Sequence, residues 1–231
     1  MRALRTISRT IEHIFHWWLD YLYVAWWQSK AFLLTFKKTK YTGFLTDKPP
    51  VILLPGVYER WEFMKPLADV LHQQKYPVHV IEALGFNRST IEEAAEHVER
   101  YIHRHKLQNV RIVAHSKGGL IGKLVMMHDD KDRIHSMVAI NTPFNGSPYA
   151  RLFPFTKTIR IFSPYSSIVK YLAENTSVNR QICSVYSSFD PHIPGGSKLK
   201  SAKNITLQSQ GHFKVLSSPE LHKTIIRLLD Y

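Results

Sequence analysis

The segment VAHSKGGL, from Val113 to Leu120, is the most informative part of this 231-residue chain. It ends an apolar run, places a serine between a histidine and a lysine, and continues through two glycines into a second apolar segment. A change from a strand-like run to a helical pattern, with small residues between them, predicts a sharp strand-to-helix corner at Ser116. Such a corner would expose the hydroxyl beside a helix N-terminus, where free N–H groups favour negative charge. A serine in an ordinary strand-to-helix loop is the alternative.

Short apolar runs alternate with helical patterns on both sides of this corner. The runs are rich in β-branched residues and lack polar alternation, which is typical of buried parallel strands. The predicted strands cover residues 51–54, 78–81, 110–113, 137–140, 182–186 and 205–207. Helical spacing covers residues 89–105, 120–127 and 219–229. The alternation predicts an α/β fold with a mostly parallel central sheet flanked by helices.

Two of these helices carry signals for where they begin. The helix over residues 89–105 is expected to start with a capping box formed by Ser89 and Glu92. The last helix is expected to have Ser218 as its N-cap and Pro219 at its first position.

Composition places the chain among globular proteins. Its hydrophobic content of 44% and charged content of 21% exclude general disorder, and its length suits one sizeable domain. The 31 Lys and Arg against 18 Asp and Glu give a net charge of +13, which favours an anionic partner. Because the sequence contains no nucleic-acid-binding motif, we expect a lipid surface and not nucleic acid. The single cysteine, Cys183, excludes an internal disulfide and a cysteine-based zinc site.

Residues 1–41 differ from the rest and are expected to form an extra basic, aromatic helix. The segment from Ile14 to Phe36 holds four of the five tryptophans, and arginines and lysines flank it. Tryptophan and tyrosine prefer the membrane interface, and basic flanks favour anionic lipid. Asp20 opposes a spanning helix, because a charge near the bilayer centre costs up to about 3 kcal/mol. We therefore expect attachment to a membrane surface. Packing on the protein or an oligomer contact, and a true span, are the alternatives.

Residues 1–41 also give an expectation for the cellular location of the protein. No small-residue cleavage site follows it, and Asp20 interrupts the apolar core that a secretory signal needs. We expect the protein to associate with the cytoplasmic side of a membrane, in preference to an integral membrane or a soluble cytoplasmic location. The oligomeric state is left open.

A serine hydroxyl needs a base and an orienting acid to become a nucleophile. In a fold with this corner the partners follow in the chain order serine, acid, histidine, each after a later strand. Asp190 follows the fifth predicted strand, and His212 follows the sixth, before the last helix. We therefore predict a catalytic triad of Ser116, Asp190 and His212. The other candidates for the acid lie in one charged loop before the fourth strand, at Asp129, Asp130 and Asp132.

The oxyanion formed by attack on a carbonyl needs two N–H donors. One is expected from Lys117, directly after the serine, and the other from Val57 in the PGVY loop after the first strand, with Tyr58 as the alternative donor. Gly56 would let the backbone of that loop approach an acyl carbonyl. An ordinary Pro-Gly turn is the other interpretation of this loop. We expect the Lys117 side chain to be solvated.

Residues from about 148 to 178 are too many for a structureless connection and combine apolar with basic side chains. Such a segment is typical of a cap or lid over a nucleophile, and its aromatic residues would line an acyl pocket. Phe153 and Phe155 are its substrate-binding candidates; Tyr58 and Phe144 are candidates outside it. Other residues of the segment that could line the pocket are Ile159, Phe162, Tyr165, Ile168 and Tyr171. The alternative is a crossover helix whose aromatic side chains join the core.

Four segments resemble motifs of the α/β-hydrolase superfamily, and within it of the bacterial triacylglycerol lipases and their relatives. AHSKGG is similar to the nucleophile elbow, NTPFNGS to the segment after the next strand, LPGV to the oxyanion loop, and GHFKVL to the segment with the catalytic histidine. The resemblance covers residues 50–231. Pro55 and Phe144 stand where histidine is common in these proteins, so the resemblance leaves the substrate open.

The resemblance implies a serine carboxylester hydrolase that cleaves lipid or other acyl esters through an acyl-enzyme, without a cofactor or a metal. The α/β-hydrolase domain would comprise residues 42–231, including the cap. Two alternatives remain. One is a thioesterase or acyltransferase with the same triad, and the other is a non-catalytic binding protein of this fold at a membrane surface.

Overall fold

Six parallel strands form the centre of the molecule, in the spatial order β2-β1-β3-β4-β5-β6. The computed structural model describes residues 2–33, 41–42, 46–151 and 156–230. All six predicted strands are present, and the last four extend beyond their predicted bounds. The strands are β1 (Val51–Leu54), β2 (Val78–Val80), β3 (Val110–His115), β4 (Ile134–Ile140), β5 (Ile182–Phe189) and β6 (Lys203–Gln210). The predicted parallel sheet is confirmed.

Helices cover both faces of this sheet. They are α1 (Arg2–Leu33), α2 (Lys65–Gln73), α3 (Ile91–Arg104), α4 (Lys117–His128), α5 (Lys157–Arg160), α6 (Ser167–Glu174) and α7 (Pro219–Leu229). Ile52 and Leu54 belong to the core cluster that includes α3 and α4. Val51 and Leu53 belong to the cluster that includes α2 and α7. Because both faces of β1 are buried, this strand is apolar on both sides, which explains why its sequence lacks polar alternation. The edge strand β6 differs, because only Leu207 of its residues is buried.

The N-cap of α3 lies one residue later than predicted. The Thr90 hydroxyl accepts a hydrogen bond from the Glu93 N–H at 3.1 Å, and the Glu93 carboxylate accepts one from the Thr90 N–H at 2.9 Å. The predicted capping box of Ser89 and Glu92 is therefore wrong by one position. Ser89 and Thr90 each have a glutamate three residues later, so the sequence pattern fits either. The carbonyl of Ser89 instead accepts a hydrogen bond from the Lys117 ammonium, outside the helix.

The other two predicted helices differ less from expectation. Helix α4 begins at Lys117, three residues before its predicted start, because it follows the corner at Ser116 directly. Helix α7 begins at Pro219 after Ser218, as predicted. The Ser218 hydroxyl, however, lies 2.7 Å from the hydroxyl of Ser209 on β6 and makes no hydrogen bond to the helix backbone.

A buried carboxylate fixes α1 to the rest of the protein. Asp20 is fully buried, and its oxygens accept hydrogen bonds from the N–H groups of His212, Phe213 and Lys214 at 2.7, 2.8 and 2.8 Å. A 3-10 turn begins at Lys214, so Asp20 caps the start of this turn from a distant part of the chain. Among the described residues, no helix has both the length and the apolar character that a membrane span requires. The contacts of Asp20 show that helix α1 packs on the domain.

We expect Asp20→Ala to lower the free energy of unfolding by about 2–4 kcal/mol, because three N–H donors lose a buried acceptor and each such loss costs about 1–3 kcal/mol before water enters. Urea unfolding followed by tryptophan fluorescence measures this change, since four of the five tryptophans lie on α1. Asp130→Ala, at an exposed carboxylate, is the matched control and should change stability by less than about 0.5 kcal/mol. Equal effects of the two substitutions would contradict the anchoring role of Asp20.

The position of the α3 cap can be tested with two neighbouring alanine substitutions. Thr90→Ala should destabilise the protein by about 1 kcal/mol, because the Glu93 N–H loses its acceptor. Ser89→Ala should cost only a few tenths of a kcal/mol, because the Ser89 side chain does not cap the helix. Thermal unfolding followed by circular dichroism compares the two, and the opposite ranking would place the cap at Ser89.

Candidate active site

Ser116 lies at the corner between β3 and α4, with φ 51° and ψ −117°, a conformation that residues other than glycine rarely adopt. Two glycines allow the corner to pack closely. A Cβ at Gly118 would lie 2.2 Å from the main-chain oxygen of Leu54, and one at Gly119 would lie 2.0 Å from the Thr142 hydroxyl oxygen. The corner therefore lies between the carboxyl ends of β1 and β4. This is the edge of a parallel α/β sheet at which ligands bind.

Ser116, His212 and Asp190 form one hydrogen-bonded chain. The Oγ of Ser116 lies 3.0 Å from Nε2 of His212, and Nδ1 of His212 lies 2.7 Å from Oδ2 of Asp190. The other oxygen of Asp190 accepts hydrogen bonds from the N–H groups of His192 and Ile193 at 2.8 and 3.1 Å, which fix the orientation of the carboxylate. The structure thus brings together the three predicted side chains, which follow β3, β5 and β6.

Burial and charge act in opposite directions on the His212–Asp190 pair. Burial lowers the pKa of His212, but the charge and hydrogen bond of Asp190, followed by the charges of Asp20 and Glu59, raise that pKa above its usual value. Burial raises the pKa of Asp190, but the charge and hydrogen bond of His212 and the His192 N–H bring that pKa below its usual value. An ionised carboxylate beside the ring suits an imidazole that accepts a proton.

Two main-chain N–H groups beside Ser116 are available to a ligand. Within the described part of the chain, no hydrogen bond joins the N–H of Val57 or of Lys117 to another protein atom. Val57 lines the same cavity as Ser116, and Lys117 is the next residue in the chain. Tyr58, which follows Val57 in the chain, has φ 59°, and its carbonyl accepts a hydrogen bond from the Gln28 side chain of α1 at 2.9 Å. Helix α1 therefore supports the loop that carries the Val57 N–H.

The Lys117 side chain is fully buried, which corrects the expectation that it is solvated. Its ammonium donates hydrogen bonds to the carbonyl of Asn87 at 2.9 Å and to that of Ser89. Burial lowers the pKa of Lys117 to about 8, against the opposing charges of Glu93 and Glu92. The side chain therefore anchors the loop before α3.

A second buried network supports the site, and the sequence analysis missed it. Nδ1 of His115 lies 2.9 and 3.0 Å from the two carboxylate oxygens of Glu59, and Nε2 of His115 donates to the main-chain oxygen of His212 at 2.9 Å. Glu59 also accepts the Gly56 N–H at 2.7 Å. The network joins the loop after β1 to the loop after β6. The position of His115 beside Ser116 is the sequence signal that could have indicated it.

The serine and histidine open onto a cavity of about 380 Å³ whose lining is mostly apolar and aromatic. Tyr58, one of the predicted substrate-binding residues, lines it. The full lining is Tyr21, Val24, Gln28, Val57, Tyr58, Glu59, Phe63, Ser116, Pro143, Ser147, Tyr149, Ala150, Ile159, Phe162, His192, Ile193, His212 and Phe213. Within the described ranges, no group of three or more histidine, cysteine or acidic side chains is placed to hold a metal ion.

Of the other predicted substrate-binding residues, Phe144 does not line the cavity. Phe144 is 1% exposed, lies in the core cluster that includes α3 and α4, and is not among the lining residues, so its assignment to the substrate site is corrected. Its ring packs inward from the loop after β4. Phe153 and Phe155 lie outside the described residues.

The segment predicted as a cap contains a 3-10 turn at Pro148–Arg151 and the helices α5 and α6. Ile159 and Phe162 line the cavity, as expected for an acyl pocket. Tyr165 and Tyr171 are exposed, and Ile168 packs against the core, which corrects their suggested place in the pocket. Lid movement of this segment stays a prediction.

Helix α1 forms a wall of the cavity, which the sequence analysis did not predict. Tyr21, Val24 and Gln28 line it from one flank of the helix. Asp20, on the same helix, holds the loop that carries His212. An acidic residue within an aromatic helix is the sequence signal for this contact, although it also fits an unfavourable charge in a membrane helix.

Comparisons with known proteins agree with this architecture. Residues 49–163 match a family model described as alpha/beta hydrolase fold. No curated protein sequence matches the chain. Similar solved structures include the mature lipase BlEst2 of Bacillus licheniformis, which is 14% identical with a TM-score of 0.65 over 81% of this chain and 95% of that one.

Two further structures show the same similarity. An extracellular alpha/beta-hydrolase from a Paenibacillus species is 16% identical, with a TM-score of 0.56 over 78% of this chain and 98% of that one. A structure from work on carboxylesterases of the thaumarchaeon Nitrososphaera gargenis is 13% identical, with a TM-score of 0.59 over 80% and 90% of the two chains. Similarity at these identities shows the fold. The chain therefore has the α/β-hydrolase fold and resembles the lipases and esterases of that superfamily.

Proposed function

We propose that the protein is a serine carboxylester hydrolase in which Ser116 is the nucleophile, His212 the general base and Asp190 the orienting acid. The observation that carries this proposal is the pair of contacts of His212, 3.0 Å to the Ser116 oxygen and 2.7 Å to the Asp190 carboxylate, beside an apolar cavity. The fold supports it, because the serine at this corner is the nucleophile of α/β-hydrolases.

The reaction proceeds in two halves. The Ser116 Oγ attacks the ester carbonyl carbon while its proton passes to Nε2 of His212, and the N–H groups of Lys117 and Val57 hold the oxyanion. Collapse breaks the bond to the alcohol oxygen, which takes the proton from His212 and leaves, with the acyl group on Ser116. Water then gives a proton to His212 and attacks the acyl carbon. Ser116 recovers that proton as the carboxylic acid leaves.

The surrounding carboxylates suit this sequence of proton transfers. Asp190 keeps a proton on Nδ1 of His212, which leaves Nε2 free to accept one, and stabilises the imidazolium that forms. Its two main-chain hydrogen bonds and its lowered pKa keep it ionised at neutral pH. Asp20 holds the main chain of His212 directly, and Glu59 does so through His115. Both are positioning residues in this proposal, because they do not touch the reacting atoms.

The lining of the cavity supports an apolar acyl group as the substrate. Phe63, Ile159, Phe162 and Phe213 contribute to the lining, and within the described residues no lysine or arginine lines it. A negatively charged acyl group would therefore lack a lysine or arginine partner. The volume of about 380 Å³ is near the lower end of the range of about 300–1,000 Å³ for small-molecule sites, which favours short and medium acyl chains.

The nucleophile is tested by Ser116→Ala. We expect the wild-type protein to hydrolyse a p-nitrophenyl acyl ester and to be labelled by a fluorophosphonate probe, and the variant to lose both, with a decrease in kcat of at least about 10³-fold. Ser136→Ala, near the amino end of β4, removes a serine hydroxyl away from the site and should retain both. A wild-type protein that the probe does not label would contradict the proposal and favour a non-catalytic binding role.

The acyl pocket is tested with p-nitrophenyl esters of graded chain length. Each methylene buried in the cavity contributes about 0.8 kcal/mol, so kcat/KM should rise about fourfold per methylene until the cavity is full and then fall. Ile159→Trp, which fills part of the cavity, should move the maximum to a shorter chain. A profile that is flat with chain length, or a preference for a charged acyl group, would contradict an apolar acyl site.

A further inference from the structure

Helix α1 exposes a group of large apolar side chains on the side that faces away from the protein. Between residues 14 and 26, every exposed side chain is apolar or aromatic. The most exposed form one stripe, which we name the outer face of α1: Phe15, Trp18, Leu22 and Trp26, with 58–64% of each residue accessible. A surface helix in water normally shows the opposite arrangement, with its polar side outward.

Three polar side chains of the same helix contact the domain. His13 stacks on Phe189 with ring centroids 3.7 Å apart, and Asp20 accepts three main-chain hydrogen bonds. Gln28 donates to the carbonyl of Tyr58. These polar contacts, together with the partly buried Tyr23, Val24 and Trp27, hold α1 to the protein. The exposed apolar side chains of the outer face are left for another partner. Four adjacent large apolar side chains are more than an isolated exposed residue, and such patches mark interaction sites.

The charge and composition of α1 select the partner. The helix carries Arg2, Arg5 and Arg9 in its first turns, and the Lys30 ammonium lies 4.4 Å from the centre of the Trp26 ring. The chain has a net charge of +13, so a second copy would bring the same positive charge to this face, whereas an anionic lipid would bring the opposite charge. Tryptophan also favours the headgroup region of a bilayer.

We propose that the outer face of α1 docks in the headgroup region of an anionic phospholipid membrane, with the helix lying along the surface. Tyr21 and Val24, on the adjacent flank, line the cavity that contains Ser116. Docking therefore places the candidate active site beside the lipid, where an ester with an apolar acyl group would be concentrated. This last step rests on the proposed hydrolase function, whereas membrane docking does not.

The test measures binding of the full chain to vesicles in a Ser116→Ala background, which leaves the lipid intact. The vesicles contain phosphatidylcholine with phosphatidylglycerol, or phosphatidylcholine alone, and bound protein is separated by sedimentation. We expect preference for the anionic vesicles, with binding that weakens as salt is added. The triple change Trp18→Ser, Leu22→Ser and Trp26→Ser should reduce the partition coefficient at least about tenfold.

The matched control carries Tyr165→Ser and Tyr171→Ser, which remove two exposed aromatic side chains (67% and 49% accessible) away from α1. It should bind vesicles as the parent does. Leu22→Asp alone, which adds a negative charge to the outer face, should also weaken binding to anionic vesicles. Equal binding by the triple variant and the control would overturn the proposal. A parent that is a dimer in sedimentation, and becomes a monomer in the triple variant, would overturn it in favour of a second copy.

The two proposals can fail separately. Vesicle binding is measured without a nucleophile, so a missing esterase activity does not change its outcome. With Ser116 restored, the triple variant should hydrolyse a soluble ester within about twofold of the wild-type rate, because none of its three positions lines the cavity. Loss of vesicle binding together with retained soluble activity supports docking by the outer face.

Discussion

Three buried carboxylates hold one histidine. Asp190 contacts the ring of His212, Asp20 accepts its main-chain N–H, and Glu59 reaches its main-chain oxygen through His115. A buried charge without a partner costs several kcal/mol, so each carboxylate requires its contact. The three come from the loop after β5, from α1 and from the loop after β1. The position of the imidazole therefore depends on assembly of the whole carboxyl edge of the sheet.

Local signals in the sequence were sufficient to predict the parallel sheet and the three residues of the candidate triad. A strand, a serine and two glycines are adjacent at the corner of Ser116, and the chain order of the fold places Asp190 and His212 after defined strands. The parallel sheet followed from apolar runs without polar alternation. The buried positions of Lys117 and Phe144 were not predictable in this way. The Lys117 ammonium, for example, binds a carbonyl 30 residues earlier in the chain, and its burial follows from that contact.

Local sequence signals were even less sufficient to predict the roles of Asp20 and Glu59 and the orientation of α1. Asp20 lies 192 residues before His212, and Glu59 lies 56 residues before His115. In the sequence, Asp20 is one acid within an aromatic segment, a pattern that fits both an unfavourable charge in a membrane helix and an acceptor for buried N–H groups. The apolar residues of α1 occur on most sides of the helix, so their spacing in the sequence does not identify the side that faces the protein. The contacts with the loop after β6 identify it.

The packing of α1 on the domain limits where the chain can be truncated. The change in composition near residue 42 suggests a boundary for truncation, but a chain that begins there would lack one wall of the cavity and the acceptor for three N–H groups. Helix α1 contacts the domain as a bound peptide would, although it is part of the same chain. Fragment complementation, in which a separate helix peptide restores a truncated chain, is therefore a property that this fold should possess.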